Sequence, residues 1–219
     1  MNTKSILVAA SVLALGAGTY FVMQNSQMGS MQGMDHSTMA ASAATSDATK
    51  AYEAAMSAMH MDMMKKPTGK PDLDFMTGMI PHHQGAIDMA KAVLQYGKDP
   101  EIKTMAENVI KAQDGEIAMM KAWLGKVDQA TLVEAPESAK ANEDAMAGMM
   151  KNMMMDYSSD ADADFVKGMI PHHQGAIDMA KVALQYAKDP DVLKLAGDVV
   201  KAQEGEITFM RDWLKKKGM

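Results

Sequence analysis

Residues 78 to 91 read Gly78-Met-Ile-Pro-His-His-Gln-Gly-Ala-Ile-Asp-Met-Ala-Lys91, and residues 168 to 181 repeat them without a change, 90 positions later. The same offset pairs Phe75 with Phe165, Pro100 with Pro190 and Trp123 with Trp213. Upstream it pairs Met56, Met59, Met63 and Met64 with Met146, Met149, Met153 and Met154. The chain is therefore built from two copies of a unit of about 75 residues. Repeat one spans 51–125, a linker 126–140, and repeat two 141–215.

Each copy predicts the same helices. Asp72 can cap a helix that runs to Gly97. Pro81 falls within it, so it either kinks the helix or occupies the first turn. Ile80, His83, Ile87 and Leu94 share one face, which places His83 deeper and His82 beside it. The turn Gly97-Lys-Asp-Pro100 then sets Asp99 as a cap and Pro100 as a first helical residue. The following helix carries Ile102, Met105, Ala106, Val109, Ile110, Gln113, Ile117, Met120 and Leu124 at helical spacing. Such a tight turn makes an antiparallel hairpin. Folding about residues 98 and 99 brings Gln113, Glu116, Ile117 and Met120 level with His82 and His83. In copy two the same count brings Gln203, Glu206, Ile207 and Met210 to His172 and His173. Two hairpins make a four-helix bundle. No stretch alternates with period two, so no sheet is expected.

Each copy also has a shorter helix in front. In residues 51–66 it carries Met56, Met59, His60, Met63 and Met64 as a stripe, and in 141–155 Met146, Met149, Met150, Met153 and Met154. A methionine stripe is commonly core, because the side chain fills gaps well. These helices are expected to pack beside or across the bundle.

Composition narrows the chemistry. Of 219 residues, 47% are hydrophobic but only 5% aromatic, so the core must be aliphatic and methionine-rich. There are 27 methionines and no cysteine, which excludes disulfides, thiolate metal sites and cysteine nucleophiles. The net charge of −6, with no basic run except Lys215 to Lys217, lacks the footprint of a nucleic-acid binder. Lys4 precedes an uncharged run to Gln27, most apolar from Ile6 to Met23. Residues 1–23 are expected to be a signal peptide or an N-terminal membrane anchor, and either places the rest outside the cytoplasm. Residues 24–50 form a polar tail unable to bury a core, yet it carries Met28, Met31, Met34, His36 and Met39. Thioethers spaced in this way can wrap a soft ion such as Cu(I).

The ligand types converge. Met79 stands three and four residues before His82 and His83, so the side chains can meet; Met169 stands likewise before His172 and His173. Thioether sulfur selects Cu(I) or Ag(I) over Zn, Mg or Ca, and imidazole binds both oxidation states of copper. Met120 and Met210 add sulfur from the facing helices, and Met59, Met63, Met149 and Met153 from the shorter ones. Glu116 and Glu206 can hold the second ring nitrogen of a liganding histidine.

The pattern Asp74-Phe75, Met79-Ile80-Pro81-His82-His83, Ala86-Ile87 and Met89-Ala90, followed by Gln113, Glu116-Ile117, Met120 and Trp123-Leu124, resembles the domain-of-unknown-function 305 family over about residues 51 to 215. The doubled His-His motif with Met-rich flanks is similar to its CopM-type periplasmic copper-binding members. The resemblance implies a ferritin-like helical fold and binding of Cu(I), with Ag(I) or Cu(II) as further ions, for copper tolerance. It carries over Met79, His82, His83, Met169, His172 and His173. A copper-handling protein is the partner such a binder would meet. Two other functions stand beside it. A ferritin-like metal-dependent oxidase would need Glu-x-x-His on two helices, and no Glu here stands three residues before a His. A structural exported bundle would use its Met-rich helices to bind a protein partner.

Overall fold

The computed structural model describes residues 46–153 and 156–219. The apolar N-terminal run, the tail through residue 45 with its methionines and His36, and Met154 lie outside the described residues. Six helices follow in order: α1 Asp47–Met63, α2 Pro71–Tyr96, α3 Pro100–Leu124, α4 Pro136–Asn152, α5 Ala161–Tyr186 and α6 Pro190–Lys216. Among the described residues there is no strand.

The hairpin turns form as their sequence dictates. Asp99 accepts from the amides of Glu101 and Ile102 at the start of α3, and Asp189 from those of Asp191 and Val192 at the start of α6. Both helices take proline in the first turn, where its missing N–H costs nothing. Two boundaries move. Ser46 Oγ accepts from Thr49 N at 3.0 Å and starts α1 at Asp47, so residues 47–50 are helix rather than tail. Ala48 and Thr49 are buried there, which supplies the apolar contact the tail composition lacked. Pro136 starts α4 inside the expected linker, which shortens accordingly.

Asp72 does not cap its own helix. The residue preceding α2 is Lys70, which provides no side-chain cap, and Asp74 ties down the approach by accepting from Thr68 N, Thr68 Oγ1 and Gly69 N. Asp72 is spent on the other hairpin. Its carboxylate accepts from Lys188 N at 3.0 Å and Asp189 N at 2.8 Å, in the α5–α6 turn. Asp162 returns the contact, accepting from Lys98 N at 2.8 Å and Asp99 N at 3.1 Å in the α2–α3 turn. Each hairpin thus closes the turn of the other. Pro81 and Pro171 lie in the interior of α2 and α5, not in their first turns.

The two hairpins pack through α2 against α5, while α1 lies on α2 and α4 on α5. Two apolar clusters result. One joins the C-terminal half of α2 to the N-terminal half of α5, around Met89, Val93, Phe165 and Met169. The other joins the opposite halves, around Phe75, Met79, Met179 and Ala183. The helices are therefore antiparallel and related by a pseudo-two-fold axis. Sulfur is unequally shared. The second cluster holds Met59, Met63, Met76, Met79, Met120, Met149, Met153 and Met179, whereas the first holds Met89, Met105, Met169 and Met210.

Glycine lets the short helices settle. A Cβ at Gly175 would fall 2.5 Å from Met149 Cγ and 2.6 Å from its Sδ; at Gly85 it would fall 2.9 Å from Met59 Sδ. Gly175→Ala should therefore destabilise the fold by roughly 1–3 kcal/mol, because overpacking outweighs the better helix propensity of alanine. Urea denaturation checks this. A variant as stable as the wild type would mean that Met149 swings aside freely.

Candidate metal centre

Where α2 crosses α5, the repeated histidines meet. His82 and His172 face each other across the axis, with ring centroids 3.9 Å apart and planes tilted by 39°. His83 lies 6.2 Å from His82, and His173 lies 6.1 Å from His172, so four imidazoles run in a chain through the middle of the protein. All four are fully buried.

The outer pair is anchored. His83 Nε2 lies 2.6 Å from Glu116 Oε2, and His173 Nε2 lies 2.6 Å from Glu206 Oε2. A carboxylate accepts the Nε2–H, which in the neutral ring leaves Nδ1 with the lone pair. Neither Nδ1 has a partner, and neither nitrogen of His82 or His172 has one. Gln113 Oε1 and Gln203 Oε1, at the same level, are also buried and unpaired. Six buried ring nitrogens without a hydrogen bond are costly, because a buried polar atom loses water and gains nothing in exchange. Burial holds the imidazoles of His82 and His172 well below the usual histidine range, and the neighbouring imidazoles push in the same direction. Neutral rings with free lone pairs are the form that binds a metal.

The order within each pair is the reverse of that expected. His82, not His83, is central, and His83 turns to the facing helix. The apolar face through Ile80, His83 and Ile87 identified the side toward α3, but α2 is also buried against α5.

The methionines divide by position. Met79 and Met169 are fully buried one turn before the histidines, and Met120 and Met210 are fully buried on the facing helices. Met59 and Met149 lie against Gly85 and Gly175, one turn beyond the histidines. Met63 and Met153 are buried further along the sulfur-rich cluster. Among the described residues, no three His, Asp or Glu side chains converge as a metal-holding group. Solvent approaches at the edges through the carboxylates: Glu206 is 28% exposed and lines a cavity of ≈600 Å³ between α3 and α6, with Met105 and Phe209.

The meeting of His82 with His172 was not found by counting along one hairpin. The signal for it was the exact repeat itself, since residues near a two-fold axis meet their own copies.

Comparison with known proteins places these residues. The family model described as "Domain of unknown function (DUF305)" matches residues 72–214. The solved structure "CopM in the Ag-bound form (by soaking)" is 34% identical with a TM-score of 0.52, over 69% of this chain and 98% of that one. "CopM in the Cu(I)-bound form" is 36% identical with a TM-score of 0.52, over 66% and 96%. A curated protein of Acanthamoeba polyphaga mimivirus, "Uncharacterized protein L153", is 43% identical over 53 residues; the match spans 24% of this chain and 35% of that protein's length.

Proposed function

The chain belongs to the DUF305 family, and from that premise we propose that it is an extracytoplasmic copper-binding protein. It sequesters or buffers Cu(I) for copper tolerance, accepts Ag(I) in the same way, and catalyses no reaction. The observation that carries this is the row of four buried imidazoles with six unpaired ring nitrogens, one turn from the buried Met79 and Met169. Cations bound along the row would give those nitrogens partners. Met79 and Met169 stand one turn before the paired histidines, and a donor set that joins thioether to imidazole favours a soft ion. His82, His83, His172 and His173 would supply nitrogen, Met79 and Met169 sulfur, with Glu116 and Glu206 orienting the outer rings. Export is supported by the Lys4-led apolar run. Among the described residues no helix is long and apolar enough to cross a membrane.

The test is titration of the protein with Cu(I) against a chromophoric chelator, with Zn(II) as competitor. Met79→Leu with Met169→Leu roughly conserves volume, so stability should change by less than ~1.5 kcal/mol. Cu(I) affinity should nevertheless fall about tenfold or more, the worth of ~1.4 kcal/mol of lost ligation. Equal affinity for Zn(II) and Cu(I), or a folded double variant with wild-type affinity, would return these residues to the core.

A further inference from the structure

Position 60 and position 150 are equivalent in the two repeats, yet one is histidine and the other methionine. In the fold they meet: His60 Nδ1 lies 3.3 Å from Met150 Sδ. We infer that this pair is a second, solvent-facing site for one soft monovalent cation, Cu(I) or Ag(I), where α1 crosses α4. The inference rests on the soft-metal function proposed above, but it concerns a different site with different residues.

Three observations support it. The first is geometric. With lengths like those of zinc, about 2.0 Å to imidazole nitrogen and about 2.3 Å to sulfur, donors 3.3 Å apart subtend about 100° at a shared ion, an angle that suits a three- or four-coordinate ion whose other positions are taken by solvent. The pair could share an ion with little rearrangement. The second is exposure. His60 is exposed and Met150 half-buried, and the neighbouring Met61 and Met64 are 67% and 69% exposed. The thioethers of Met61 and Met64 have no core to fill, so packing does not account for these two sulfurs. The third is position. Met150 packs on the sulfur-rich cluster, and Met59, next to His60 in the chain, lies against Gly85, one turn from His82. The pair stands at the surface, near the axis that passes between His82 and His172. An ion taken at the surface would lie above the methionine-lined half of the protein, on the approach to the buried rings.

The probe is Ag(I), added as silver nitrate to the metal-free protein in chloride-free buffer. Stoichiometry is read by calorimetry and the methionine methyl groups by NMR. His60→Ala and Met150→Leu should each remove one equivalent, and the double variant should remove no more than that one. The Met150 methyl resonance should shift with Ag(I) in the wild type and stay fixed in His60→Ala. His60 is exposed, and Leu in place of the partly buried Met150 roughly conserves volume, so helical content should be unchanged. If either single variant keeps wild-type stoichiometry, or the double variant loses two equivalents, the shared site is overturned. A His82→Ala/His172→Ala variant separates the two sites. Retention of full stoichiometry there would count against the buried centre, whereas the Met150 shift should persist in it regardless.

Discussion

The metal-free protein should lose stability steeply as the pH falls below about 6.5, the ordinary histidine pKa, before the surface carboxylates begin to titrate. The cause is the central pair. Burial, reinforced by the adjacent imidazoles, holds His82 and His172 neutral in the fold. In the unfolded chain both rings take up protons as the pH drops through ~6.5. The unfolded state then binds more protons than the native state, and stability must fall with pH. The contribution is fully present above ~6.5 and is lost below it, at up to about 1.4 kcal/mol per pH unit for each ring, or about 2.7 for the two. It stops falling only where the folded rings themselves protonate. Urea denaturation of metal-free protein at pH 7.5, 6.5 and 5.5 measures the slope, and His82→Leu/His172→Leu should flatten it. An unfolding free energy that is the same at pH 7.5 and 5.5 in the wild type would show that the rings protonate freely in the fold. The same depression means that protons compete for a metal at His82 and His172 only below the range of an exposed imidazole.

The second large effect should come from the exchanged carboxylates. Asp72→Ala leaves the amides of Lys188 and Asp189 without their acceptor, and Asp162→Ala does the same to Lys98 and Asp99. Hydrogen bonds to a charged group contribute about 1.5–3 kcal/mol each, but these amides are only part-buried and can recover water, so losing two should cost roughly 2–4 kcal/mol per substitution. The two sites lie at opposite ends of α2, whose 26 residues span about 39 Å. Their effects should therefore add. A loss of about 4–8 kcal/mol approaches the whole stability of a typical domain, so the double variant should be largely unfolded at room temperature. Asp72→Asn keeps one acceptor oxygen and should cost less. A double alanine variant within ~0.5 kcal/mol of the wild type, an effect ordinary for an unremarkable surface change, would show that the hairpins hold together without these bonds.

What the sequence made legible is what lies within one hairpin. Asp99-Pro100 and Asp189-Pro190 set the turns, and a tight turn fixes the register of everything that follows, so Glu116 could be placed at His83 by counting. The relation between hairpins was not legible in that way. Of the 26 residues of α2, 16 are buried, because α1, α3 and α5 all press on it. A stripe of apolar residues shows that a face is covered but not by which neighbour, and His82 and His83 were ordered wrongly for that reason. Asp72 was missed on the same ground: an aspartate before a helix usually caps it, and its real partner is 116 residues away. Ser46 and Pro136 carried ordinary start signals that the low-apolar composition around them outweighed.

The halves of this protein meet as two subunits of a symmetric dimer would, but they are one chain. Two separate copies would part on dilution, and a cleft completed by both would be lost with them. The covalent link makes their encounter intramolecular, with an effective concentration of order millimolar, so the histidine row stays whole however scarce the protein is. Fusion also frees the halves to diverge. In a dimer of identical units, a residue on the axis can meet only itself, imidazole with imidazole or thioether with thioether. Nitrogen from one half and sulfur from the other, as at His60 and Met150, is an arrangement open only to a duplicated gene whose copies have begun to differ.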